Sequence, residues 1–212
     1  MKHLNSILIV LLGLATIATA QTDKKTQIMF NGGLSLPMGG DQPSFTNLFG
    51  TIPFSDGWSG GFSFGAGFSY SFTSQVALVV SFDYSNFPIN EDNFINGTYN
   101  KVEGGEITSS FIAANIKYSM GQNIEKISPY LLAGFGGLGF SDIDVTLSGP
   151  GITSNTKITR EGIFQDAAAV AGGGVDIPAG NAFAIFIEGK FVIGLVDGIV
   201  YFPIKAGFAF KI

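Results

Sequence analysis

From Gly61 to Phe72 the chain alternates with a period of two. Phe62, Phe64, Ala66, Phe68, Tyr70 and Phe72 share one parity, and Gly61, Ser63, Gly65, Gly67, Ser69 and Ser71 share the other. Successive side chains of a strand point to opposite faces, so this stretch predicts a strand with one aromatic face and one small, weakly polar face. The split recurs. Val76, Leu78, Val80, Phe82 and Tyr84 oppose Ala77, Ser81, Asp83 and Ser85, with Val79 as an apolar exception. Phe183, Ile185, Ile187 and Phe191 oppose Ala184, Phe186, Glu188 and Lys190. Ile204, Ala206, Phe208, Phe210 and Ile212 oppose Lys205, Gly207, Ala209 and Lys211. In all, the periodicity predicts eight strands, over about 26–36, 59–72, 76–87, 106–118, 128–140, 163–177, 182–192 and 203–212.

The connections alternate in length. Thr73-Ser74-Gln75, Ser119 to Ile127 and Pro178 to Asn181 are short, whereas 37–58, 88–105, 141–162 and 193–202 are longer and rich in Pro, Gly, Asn, Asp and Thr. Short turns at one end and long loops at the other fit an antiparallel, up-and-down transmembrane β-barrel. Both termini then fall on the short-turn side, which would be periplasmic. No linker or second domain interrupts residues 21–212.

Alternation alone does not say which face points outward, because a soluble lipid-binding barrel alternates too. Composition decides. Charged residues are 13% of the chain, against roughly 25% in ordinary soluble domains. A wet Gly/Ser/Ala surface with few ions would be poorly soluble. Turned inward, the small residues suit the narrow lumen of an eight-stranded barrel. The large apolar side chains then face hydrocarbon, and the closed ladder satisfies every backbone polar group there. Mid-strand charges fall on the small face. Asp83, Lys117, Asp176, Glu188, Lys190, Lys205 and Lys211 are therefore expected inside the barrel, paired with one another because a lone buried charge is costly. Glu188 with Lys205 is the first pair expected, since their strands are neighbours, and Lys190 is close enough to compete for Glu188. Tyr70, Phe72, Tyr118, Tyr130, Phe183 and Phe210 lie near the short-turn ends, and Trp58, Tyr84, Phe87, Phe140 and Tyr201 near the long-loop ends. These positions predict two interfacial aromatic girdles. The lipid-facing set expected is Trp58, Phe62, Phe64, Phe68, Tyr70, Tyr84, Tyr118, Tyr130, Phe183, Phe208 and Phe210.

Residues 1–20 read as a cleaved signal peptide. Lys2 and His3 form a positive start, Ile7 to Ala20 is uncharged and mostly apolar, and Ala18-Thr19-Ala20 precedes Gln21 as a cleavage signal. Cleavage removes Lys2, taking the formal charge from -5 to -6, and removes His3, the only histidine. This signal, the eight segments and the ending Phe202-Pro203-Ile204-Lys205-Ala206-Gly207-Phe208-Ala209-Phe210-Lys211-Ile212 resemble the small outer-membrane β-barrel family of OmpA/OmpX type, over about 21–212. The resemblance implies a bacterial outer-membrane location and a porin-like barrel in the cell envelope. It implies as partners the outer-membrane lipids, with the barrel-insertion machinery and periplasmic chaperones during assembly. In that family the last strand usually ends in an aromatic residue; here the terminal residue is Ile212.

Little catalytic chemistry is available. A Ser-His-Asp arrangement needs a base that titrates near neutrality, and the mature chain has no histidine. With no cysteine there are no disulfides or thiolate metal sites. The net charge of -5 provides no basic footprint for nucleic acid. Asp142 with Asp144, and Glu103 with Glu106, are loop carboxylates of the kind that hold calcium, and solvated loop acids account for the same pattern. Asn96-Gly97-Thr98 matches a glycosylation acceptor, which carries little weight in a bacterial-type barrel. Gly172-Gly173-Gly174 reads as close strand packing. No catalytic, cofactor or metal site is expected. Three functions fit: an outer-membrane barrel with a structural or surface-interaction role through its long loops, a narrow channel for small or apolar solutes, or a secreted lipid carrier. The first is the expectation. If Phe64 faces mid-bilayer, Phe64→Arg will cost about 2–4 kcal/mol; an unchanged unfolding free energy in lipid vesicles would contradict the outward assignment.

Overall fold

The computed structural model describes residues 26–40, 53–93, 100–120, 127–158, 165–180 and 182–212. The expected signal peptide, residues 21–25 and Asn96-Gly97-Thr98 lie outside the described residues. The strands are β1 (Thr26–Gly39), β2 (Gly61–Ser71), β3 (Val76–Phe87), β4 (Lys101–Gly104), β5 (Ile107–Ser119), β6 (Ser128–Phe140), β7 (Ile143–Gly149), β8 (Ile152–Ile158), β9 (Asp166–Pro178), β10 (Phe183–Gly194) and β11 (Val200–Lys211). One helical turn, α1 (Phe54–Gly57), precedes β2.

Eight of these strands close into an antiparallel barrel in the order β1-β2-β3-β5-β6-β9-β10-β11, with β11 returning to β1. Each periodic segment of the sequence becomes one barrel strand. The ends differ by a few residues: β1 runs on to Gly39, and β9 starts at Asp166. Closure pairs Gln27 with Lys211 and, past a bulge between Pro37 and Gly39, Gly39 with Val200. Following paired residues around the barrel, Ile28 leads through Phe68, Val80, Ala114, Phe135, Ala169, Ile193 and Val200 back to β1 at Gly39. That stagger tilts the strands against the barrel axis and sets the lumen width.

Parity then sorts every strand. Phe30, Leu34, Phe62, Phe64, Phe135, Ile187 and Phe208 stand exposed on the outer wall. Ser63, Asp83, Phe111, Asn115, Lys190 and Lys205 are buried inside. Inward glycines make room for large inward neighbours. A Cβ on Gly65 would overlap the Asp83 carboxylate, one on Gly172 would meet Lys190, one on Gly174 the Tyr130 ring, and one on Gly207 the Phe186 ring. The glycine run at 172–174 thus serves packing.

The lumen is layered. Toward the short turns, Met29, Val79, Phe186 and Ala209 form a small apolar cluster. Asp83, Glu188, Lys190 and Lys205 lie above it, and Lys117 and Asp176 lie beside it. At the long-loop end a larger apolar cluster fills the barrel, including Phe54, Trp58, Phe87, Ile107, Phe111, Leu138, Phe140, Val192 and Tyr201. Phe54 of α1 sits 5.0 Å from Phe87 and 5.9 Å from Trp58, centroid to centroid.

Two expectations change here. Loops 88–105 and 141–162 contain a three-stranded sheet in the order β4-β7-β8. In β7, Ile143, Val145 and Leu147 turn into the apolar cluster while Asp144 is exposed. In β4 and β7 a buried apolar parity offsets the loop-like content and covers the barrel mouth, and β8 pairs along β7. The long-loop girdle is also corrected. Trp58, Phe87, Phe140 and Tyr201 are buried, at 1%, 0%, 5% and 1% exposure. Phe87, Phe140 and Tyr201 have inward parity, and Trp58 folds under the loops, where Nε1 donates to the Gly105 carbonyl at 3.0 Å. Of that belt only Tyr84 stands on the outer wall, stacked on Phe64 at 4.9 Å. The cap therefore belongs to the core: Phe87→Ala will destabilise the folded barrel by about 3–5 kcal/mol, measured by urea unfolding in vesicles, whereas a solvent-flooded mouth would leave it within error of wild type.

Candidate functional site

The chemistry of this barrel is concentrated in its lumen. Asp83 comes from β3, Glu188 and Lys190 from β10, Lys205 from β11, Lys117 from β5 and Asp176 from β9. Asp83 is shared: Lys205 Nζ donates to Oδ1 at 2.5 Å, and Lys190 Nζ donates to Oδ2 at 2.7 Å. Lys190 also lies 3.4 Å from Glu188 Oε1. The Tyr130 hydroxyl donates to Glu188 Oε2 at 3.0 Å. Lys117 lies 2.6 Å from Asp176 Oδ2 and 3.8 Å from the centre of the Tyr130 ring. The set runs across the lumen as Lys205–Asp83–Lys190–Glu188–Tyr130–Lys117–Asp176. Three carboxylates meet three ammoniums, so this network is neutral as a whole, as buried ions require.

The expected interior charges are all on the inner face. Six of them form the network just described, and Lys211 sits half-buried at the short-turn rim, outside these pairs. The expected Glu188–Lys205 pair is corrected. The two residues are in register across β10 and β11, but Lys205 reaches over the lumen to Asp83. Glu188 is instead engaged by Lys190 and Tyr130. Asp83 is the better partner for Lys205, because it faces two ammoniums in a site that Gly65 leaves open.

Tyr130 is a second correction. It was expected in the lipid-facing girdle by its place near the strand end, and it is 3% exposed. It shares inward parity with Gly134 and Gly136, and its hydroxyl needs the buried partner that Glu188 supplies. Parity was the available signal. The other girdle residues are on the outer wall. Phe62, Phe64, Tyr118, Phe208 and Phe210 are exposed, and Phe68, Tyr70, Tyr84 and Phe183 are half-buried against outer-wall neighbours. A serine chain missed by sequence reasoning joins β1, β2 and β3 inside: Ser35 and Ser85 hydroxyls are 2.8 Å apart, and Ser85 donates to Ser63 Oγ at 3.0 Å.

Beside the network lies a cavity of about 20 Å³, lined by Asn31, Ser81, Asn115, Lys117, Glu188 and Lys190 among others. That is space for roughly one water. Asn31 Oδ1, Ser81 Oγ and Asn115 Oδ1 have no protein partner there, and a water would satisfy them. Three of the four loop carboxylates, Asp142, Asp144 and Glu103, are engaged by lysines. Lys157 lies 3.7 Å from Asp142 and 3.9 Å from Asp144, and Lys101 lies 2.6 Å from Glu103. The Glu103 hydrogen bond holds the exposed Lys101 ammonium above its ordinary pKa. No group of three or more His, Cys, Asp or Glu side chains suited to a metal occurs among the described residues.

These features define the class: a closed eight-stranded barrel with the fold of the small outer-membrane barrels. No protein-family model and no curated protein sequence matches the chain. Solved structures do. Neisserial surface protein A matches with a TM-score of 0.53 at 12% identity, over 89% of this chain and 97% of that one. The outer membrane protein OprG from Pseudomonas aeruginosa matches with a TM-score of 0.55 at 14% identity, over 88% of this chain and 95% of that one. The outer membrane protease OmpT from Escherichia coli aligns over 90% of this chain at 9% identity, with a TM-score of 0.43. That score is too low to bear on this chain's chemistry, and the first two likenesses are of fold alone.

Asp83 carries the network's balance. Asp83→Asn leaves Lys190 and Lys205 without their shared charge and will cost about 3–5 kcal/mol in unfolding free energy. Replacing Asp83 and Lys205 together by Leu and Met leaves Lys190 with Glu188 and the remaining network neutral, and will recover most of that loss; a double variant as unstable as the single one would refute mutual neutralisation.

Proposed function

We propose that the chain is an integral outer-membrane barrel of a bacterium, non-enzymatic, whose role is structural or surface-interacting. One observation carries this reading: the wall is apolar outside and charged inside, and the long-loop end is filled. An exposed band that includes Phe30, Phe64, Phe82, Ile116, Phe135, Ile187 and Phe208 encircles a neutral ionic core. In water such a wall would be an aggregation surface far larger than soluble proteins tolerate. In hydrocarbon it is the required face, and the closed ladder leaves no backbone edge unsatisfied.

The filled lumen supports a structural or interacting role over transport. Fully buried Phe54, Phe87, Phe111 and Leu138 occupy the long-loop half of the barrel. Beneath them every charge of the network is engaged. A conducting path would have to displace both. The surface left for partners is the outward side of the β4-β7-β8 sheet and its loops, with Asp144, Lys101, Glu103 and Lys157 in solvent. The non-enzymatic reading rests on the residues available, since the chain's only histidine is His3. Signal-peptide export, passage with periplasmic chaperones and insertion by the barrel-assembly machinery belong to the same proposal.

The test is gel mobility of the membrane-fractionated protein in SDS, with and without boiling, followed by planar-bilayer recording. The expected result is a band in the outer-membrane fraction that shifts on heating, and no sustained single-channel steps. A soluble protein without a heat shift would overturn the membrane reading, and steady conductance would overturn the closed-lumen role.

A further inference from the structure

The apolar outer band is taller on one side of the barrel. At the long-loop ends of β5, β6 and β9 the outward positions are Thr108 and Ser110, Gly137 and Gly139, and Ala167. At the same end of β1 and β10 they are Leu36, Met38 and Ile193, which are 40%, 51% and 38% exposed. The apolar surface then continues past the strands into the β10–β11 turn, where Leu195 and Val196 are 57% and 76% exposed. At the short-turn end there is no such imbalance, with Phe72, Met120, Ile127, Phe183 and Ile212 distributed around the rim.

Four consecutive N–H groups of the β10–β11 turn are bonded from within. Leu195 N–H donates to the Ala167 carbonyl at 2.8 Å, and Gly194 N–H to the Ile199 carbonyl at 2.8 Å. The buried Asp166 carboxylate accepts from Val196 N–H at 2.9 Å and from Asp197 N–H at 3.3 Å. Gly198 turns the chain at φ +66°, a conformation that suits glycine. A turn that presents two large apolar side chains while bonding four consecutive N–H groups internally lowers the cost of immersion in lipid, where unbonded backbone groups are costly.

We propose that the lipid-contacting surface extends onto this turn, with Leu195 and Val196 immersed beside Leu36, Met38 and Ile193. The β10–β11–β1 rim then sits lower in the bilayer than the β5–β6 rim across the barrel. This rests on the outer-membrane reading, and its occupant is lipid because the patch is continuous with the wall that reading places in hydrocarbon.

The chain contains no cysteine, so single labels can be placed without background. Val196→Cys, Ser110→Cys and Ile112→Cys would each carry an environment-sensitive NBD fluorophore. Each heat-modifiable variant would be reconstituted in phosphatidylcholine vesicles with and without lipid bearing a nitroxide high in the acyl chain. The proposal expects blue-shifted emission and strong quenching at 196 and at the mid-wall position 112, with red-shifted and weakly quenched emission at 110. Quenching at 112 with 196 no more quenched than 110 would overturn the lipid-immersed turn and leave the membrane barrel standing. Absence of quenching at 112 would overturn both.

Discussion

The pairing of β1 with β11 is the constraint on which the rest depends. Without it the chain is an open sheet with two unpaired edges; with it, every barrel strand has a partner on each side. Closure turns a period of two along the chain into an inside and an outside. It also limits the lumen to side-chain dimensions, so whatever points inward must fit or leave space for something that does. Gly65 beside Asp83 and Gly174 beside Tyr130 are local solutions to that shared limit.

The lumen must also balance charge. Six ionic groups on five strands lie in a space with little room for water. No lysine there could stay charged alone, so the network ties β3, β5, β9, β10 and β11 together by electrostatics as well as by the ladder. Above it, aromatic side chains and the β4-β7-β8 sheet close the long-loop end. The ionic network and the large apolar cluster therefore work at different heights. Charge staples the middle, while hydrophobic burial seals the end where the long connections emerge. The same division leaves the outward side of β4 and β7 polar, since Val102, Ile143, Val145 and Leu147 are turned into the seal.

All eight barrel strands were legible in the sequence, because a wall between lipid and a narrow lumen imposes strict alternation on every strand. Parity also identified the inward charges, Asp83 and Lys205 among them, since a charge on the apolar parity would face hydrocarbon. The girdle assignment failed where it followed distance from the strand end in place of parity. Phe87, Tyr130, Phe140 and Tyr201 all carry inward parity. β4, β7 and β8 were hidden because each is short; β4 and β7 form against the cluster beneath them, and β8 by pairing with β7.

What the sequence by itself determined is the number of barrel strands and the two parities along each of them; these follow from local periodicity. What only the tertiary structure decided is who meets whom across the lumen. Lys205 is in register with Glu188 and yet bonds Asp83, because a long side chain in a narrow barrel reaches strands that are not its neighbours in the ladder. The folding of Trp58 and α1 into the mouth was likewise decided there, since burial depends on a surface that eight distant segments build together.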